Sequence, residues 1–355
     1  NLAAETMWRE RPDLELAARL HVGADLMVTY EDRELIYYFL AAYANPAIVP
    51  WVHTVMYYNL FDPTNGAYHH TEFDVHREFL VDRLRTEQPV VYFPESAYWV
   101  AFDNSVPTYL PLYIHSRWLD LAELRAHSLI GDAPSLQQHV LFSSGWEWGY
   151  WQNDVATLKM NWALPESPEI LLREMFGNYV NGALVATQVA ELAILQREWL
   201  ILRGLDAYYC GVDNIMELGY SQGIIAQAPR PSFRDLYAMT ADALETELAP
   251  LQEFELAMER VWENVFDPVD EWQQEIVDGI EIDLYRIRFM RQLLSAIRVA
   301  QESGDVTQAL TAAERTLTQA RSVTTRRQML FHDPNPMRLV EAGSNATIYQ
   351  YGYLI

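Results

Sequence analysis

The run AIVPWVHTVMYYNL at 47–60 restricts the architecture of this chain more than any other stretch. It is apolar and β-branched and lacks the polar alternation of a half-exposed strand. It is therefore expected to be a strand buried on both faces, as in parallel sheets. Parallel strands need crossovers, and the flanking sequence supplies candidates. ADLMVTYED (24–32) reads as a strand running into a turn, and ELIYYFLAAYA (34–44) as a helix ended by Asn45–Pro46. TEFDVHREFLVDRLR (71–85) carries a helical stripe of Phe73, Val75, Phe79, Leu80 and Leu84, with Thr71 as a cap and Asp74 in the first turn. VVYFPE (90–95), TYLPLYIHS (108–116) and HVLFSSG (139–145) read as further strands, with a helix over 117–127. Strands separated by helices imply βαβ units. The expectation is an α/β region over 1–165, a partial or complete (β/α) TIM-like barrel.

From about Pro165 the strand signals fade. Stretches 167–205, 232–266, 271–303 and 305–331 are long and amphipathic, so residues 166–355 are expected to form a mainly helical domain packed on the first. The chain begins on Asn without a basic-then-apolar leader and ends on the apolar YQYGYLI. A processed form or a fragment, cut at one or both ends, is the expectation.

The balance of 25 basic against 49 acidic residues gives a net charge of −24. That argues against nucleic acid, whose binding rests on Lys and Arg neutralising phosphates, and against anionic membrane surfaces. Carbohydrate or another neutral small ligand fits better. No apolar run approaches the ~20 residues of a membrane span. Cys210 is the sole cysteine, so there is no intrachain disulfide or cysteine metal cluster, and a buried inert thiol is expected. A secreted or periplasmic setting is expected ahead of a cytoplasmic one, and the sequence leaves the oligomeric state open. There is no Walker loop, GxGxxG or GxSxG, and no cofactor is expected.

Ligands of parallel α/β folds bind where loops leave the carboxyl ends of the strands. At those places the sequence sets carboxylates beside aromatics. VVYFPE ends on Glu95, followed by Tyr98, Trp99 and Asp103; SSGWEWGYWQND (143–154) carries Trp146, Glu147, Trp148 and Trp151. Sugar faces stack on such rings, and glycoside cleavage needs two carboxyl groups. The expected function is a carbohydrate-active enzyme, a glycoside hydrolase with paired carboxylates in an aromatic-lined cleft. Apolar rings would desolvate Glu147 and make it the acid, with Glu95 as nucleophile or base and Asp103 in reserve. Trp146, Trp148, Trp151, Tyr98 and Trp99 would be sugar platforms, and His53 and His115 polar contacts. Taken singly, Trp146, Trp148 and Trp151 fit a core or domain seam better, and a salt bridge to Arg117 is the structural alternative for Glu147. Two other functions remain: a non-catalytic glycan- or peptide-binding protein, and a metal-dependent hydrolase centred on His69, His70, Glu72 and His76 in YHHTEFDVH (68–76). That second cluster lacks HExxH spacing, and a solvated helix start explains it more simply.

Overall fold

Three of the apolar runs pair in parallel. Strand β1 (Leu16–Leu20), the hairpin strands β2 (Met27–Tyr30) and β3 (Arg33–Ile36), then β4 (Ile48–Thr54) and β5 (Val91–Pro94) follow in chain order. The structure, a computed structural model, describes residues 1–23, 27–96, 108–130, 136, 138–143, 148–210, 230–302 and 304–331. The sheet order is β1-β4-β5, with Leu20 opposite Val52 and His53 opposite Phe93. Residues 138–142 continue it beside β5, through Val140 N–H to Tyr92 O (2.9 Å) and Ser96 N–H to Phe142 O (2.8 Å). A last parallel bridge joins Tyr109 to Trp148. The described strands make an open sheet, and no closed barrel forms among the described residues.

Side chains alternate across these strands. Leu20, Val52 and Tyr92 are fully buried on one face. The opposite face carries Arg19, His21, Trp51, His53, Phe93 and Glu95. Two local expectations are corrected. Residues 34–44 are not an α-helix: Glu31 and Asp32 both adopt positive φ (49° and 61°), closing a tight β2–β3 hairpin, and a 3-10 turn follows at Tyr37–Tyr43. TYLPLYIHS is not a strand, because a long helix begins at Leu112.

Helix α1 (Leu2–Glu10) precedes the sheet, α2 (Asp74–Arg85) crosses from β4 to β5, and α3 (Leu112–Ile130) follows β5. The helical majority starts with α4 (Tyr150–Trp162) and continues through α5 (Pro168–Phe176), α6 (Gly182–Gln196), α7 (Asp206–Tyr209), α8 (Phe233–Ala238), α9 (Ala241–Glu263), α10 (Glu271–Glu302) and α11 (Thr307–Phe331). No helix of the described residues is long and apolar enough to cross a membrane. Buried side chains from before and after residue 165 form one continuous cluster.

Helix α10 ties the two parts together. Its Asp283 accepts Tyr109 N–H at 2.9 Å, while Gln196 of α6 donates to Tyr109 O at 2.7 Å and to Asp283 at 3.1 Å. Glu275 accepts from Gly149 N–H (3.2 Å) and from the Trp151 indole (2.8 Å), and pairs with Arg327 of α11. Gly279 lies against the Tyr109 ring: a Cβ there would stand 2.7 Å from Tyr109 Cβ and Cγ, inside van der Waals contact. Gly279→Ala is accordingly expected to cost about 1–3 kcal/mol through overpacking, read as a lower urea midpoint at unchanged m-value. An unaltered midpoint would show that the seam yields.

Candidate active site

The carboxyl ends of β1, β4 and β5 bring together residues far apart in the chain. Because the strands are in register and alternate, His21 leaves β1 on the same face as His53 of β4 and, beyond β5, Glu95. The His21 and His53 rings are 5.0 Å apart, and Tyr38 and Tyr68 stand 5.5 and 5.6 Å from His21. His70 Nε2 donates to Val22 O (2.9 Å), and His76 Nε2 contacts His21 O (3.3 Å). Both histidines thus hold the chain where it leaves β1.

His53 is completely buried. Its Nδ1 lies 2.7 Å from Phe93 O, and a carbonyl only accepts, so the proton sits on Nδ1. The Nε2 lone pair then accepts from Arg19 Nη2 at 3.0 Å. Glu95 Oε1 stands 3.4 Å from the same Nε2, and Glu95 Oε2 accepts Met56 N–H at 2.5 Å. Met56 donates from a left-handed backbone (φ 55°), an uncommon conformation for a buried non-glycine residue and one concentrated at functional sites.

Electrostatics make this contact something other than an ion pair. Burial pushes Glu95 up to about 7, with the Met56 N–H and the charges of Arg19 and Arg117 opposing that rise. Burial, then the Arg19 charge, depresses His53 to about 3; burial, then His53, does the same to His21. Both imidazoles are neutral near pH 7, while Glu95 is divided between its acid and its carboxylate. With the His53 Nε2 lone pair already taken by Arg19, a proton on Glu95 is left for another acceptor.

On the opposite face, buried Arg117 and Asp120 of α3 grip the same strand ends. Arg117 donates to Thr54 Oγ1 (2.8 Å), to the Tyr92 hydroxyl (3.2 Å) and to Tyr58 O; Asp120 accepts from Tyr92 (2.5 Å) and Leu60 N–H (2.8 Å). Beside Glu95, Ser96 donates to half-buried Asp154 at 2.6 Å.

The other expected site residues divide. Trp148 is 1% exposed, and its indole donates to Glu275 O at 2.9 Å. Trp151, bonded to the Glu275 carboxylate, also belongs to the seam with α10. Trp148 has no exposed ring face, and the half-buried Trp151 ring packs nearly at right angles against Phe176 and Trp272. His115 is on α3 near Asp62 and Arg197, against Trp118 (5.9 Å), rather than at a strand end. Glu147, Trp146, Asp103, Tyr98 and Trp99 lie outside the described residues. Arg117 pairs with Asp120 at 3.4 Å. Glu72 pairs with Arg77 at 3.1 Å, before α2 begins, and does not share a helical face with His76. Among the described residues no group of His, Cys, Asp and Glu converges as a metal site. Cys210 is buried, and burial raises its thiol.

Arg19, His21 and Met56 were not legible as site residues. LAARLH offers a weak strand signal, and nothing local marks Met56. Comparison with protein-family models, curated proteins and solved structures finds no match to this chain.

Proposed function

We propose that the chain is a carbohydrate-active enzyme, a glycoside hydrolase in which Glu95 donates the proton to the leaving glycosidic oxygen. One observation carries this reading: a carboxyl group at the end of a parallel strand, raised by burial to about 7. A general acid works best with a proton affinity near the working pH, and glycosidases obtain theirs through desolvation. The roles expected from sequence are thereby exchanged. Glu95 takes the acid role, and Glu147 or Asp103 is left as nucleophile or base. Tyr38, Tyr68, Phe93 and Phe142, which surround the histidines and Arg19, replace Trp148 and Trp151 as the aromatic surroundings. We read β1, β4, β5 and residues 138–142 as one arc of a (β/α) barrel wall.

The test is hydrolysis of a panel of oligosaccharides by the native chain and by Glu95→Gln. At least one linkage should be cleaved, and the variant should bind that substrate without turning it over. Undiminished turnover in the variant would remove Glu95 from the mechanism. Glycan binding without cleavage by the native chain would favour a binding protein.

A further inference from the structure

Proton donation from Glu95 leaves Arg19 unexplained. Arg19 is an exposed residue, and its guanidinium lies 5.4 Å from the Phe93 ring centroid and 5.2 Å from that of Phe142. It has five N–H groups, and one hydrogen bond, to His53, is found for it among the described residues. No carboxylate pairs with it there. Arg117, Arg197, Arg288, Arg291, Arg326 and Arg327 have carboxylate partners, whereas Arg83, like Arg19, has none among the described residues and donates to Ala42 O. What sets Arg19 apart is its place near the end of β1, beside His53, the proposed acid and the Phe93 and Phe142 rings.

We infer that Arg19 receives a carboxylate of the substrate, so that the sugar bound at Glu95 is a uronic acid. This rests on the glycosidase reading and narrows its substrate class. A planar guanidinium fork matches a carboxylate in two parallel hydrogen bonds, and the Phe93 and Phe142 rings lie within cation–π distance of it. A phosphate dianion calls for a second cation. His21, His53 and His76, all depressed to about 3 by burial, do not supply one near pH 7. The net charge of −24 does not forbid a single anionic group, because charges beyond about 8 Å are largely screened at physiological salt.

The experiment measures binding of glucuronate, galacturonate and mannuronate by calorimetry, with the corresponding neutral hexoses and glucose 6-phosphate alongside. It is run on the native chain, Arg19→Met and Arg19→Lys. Arg19 is exposed, so neither replacement strands a buried charge, and circular dichroism checks that each variant folds. At least one uronate should bind the native chain about tenfold or more tightly than its neutral counterpart. Arg19→Met should reduce that preference to within about twofold, and Arg19→Lys should retain part of it. Equal binding of neutral sugars, a preference for the sugar phosphate, or a uronate preference that survives Arg19→Met would each overturn the inference. Because binding is measured without turnover, a failed hydrolysis assay would sink the glycosidase reading and leave this result to be judged separately.

Discussion

Asp120→Ala should lower the stability of the fold by about 3–5 kcal/mol, the loss typical of breaking a buried ion pair from one side. Asp120 and Arg117 are both fully buried. Without the carboxylate, Arg117 keeps its charge in an apolar setting, and Leu60 N–H and the Tyr92 hydroxyl lose their acceptor. The pair is not itself a large gain. Burial outweighs the attraction of Arg117 and lifts Asp120 to about 6. The double replacement Arg117→Met with Asp120→Leu should therefore recover most of the lost stability. Urea denaturation of the three variants decides between these outcomes. A change below about 1 kcal/mol in Asp120→Ala would mean that the site relaxes or admits water. The network also bears on the proposed site, since Tyr92 is three residues before Glu95 and anchors the strand that carries it.

Glu95→Gln should reduce the cleavage of unactivated glycosides by about 10²–10⁴-fold, the usual contribution of a positioned general acid. Nitrophenyl glycosides, whose leaving group departs without a proton, should lose much less. The alkaline limb of the native pH–rate profile, set by deprotonation of Glu95 near pH 7, should vanish in the variant. Stability should move the other way. The folded-state value of Glu95 lies above its ordinary 4.5, so the native fold holds that proton more tightly than the unfolded chain does. This contribution is complete below about pH 4.5 and is lost as the pH rises through 7. Glutamine does not titrate, so Glu95→Gln should gain stability relative to the native chain between pH 5 and pH 8. A less active yet more alkali-stable variant would separate a chemical role from a structural one. Equal losses on both classes of leaving group would point to a nucleophile instead.

The parts of the fold that could be read from sequence are those whose pattern is set locally. β4 and β5 are apolar and β-branched because both faces are covered, and α2 shows its stripe because one face meets solvent. β1 was missed because LAARL combines alanines of weak strand preference with an exposed arginine. TYLPLYIHS misled for a related reason. Leu112, Tyr113, Ile114, Ser116 and Arg117 are all buried, so the start of α3 has no polar face to reveal a helical period. Pro111, just ahead of the helix, was the available signal.

The site was half legible on the same terms. Glu95 could be placed at a strand end, because the strand is local. Its proton affinity could not be read, because desolvation depends on β1, β4 and residues 138–142 closing around it. The tryptophans of SSGWEWGYWQND suggested a cleft, yet the described Trp148 and Trp151 bond to Glu275, more than a hundred residues away. No local pattern announces that partner.

Titration of the Glu95 side-chain carboxyl shows most directly whether that residue can be the proton donor of the site. Carbon-13 NMR of the chain labelled at glutamate, with Glu95→Gln to assign the signal, gives the midpoint without knowledge of the substrate. A midpoint near 7 is expected. A midpoint at or below the ordinary value of 4.5 would leave Glu95 ionised at neutral pH and contradict that role.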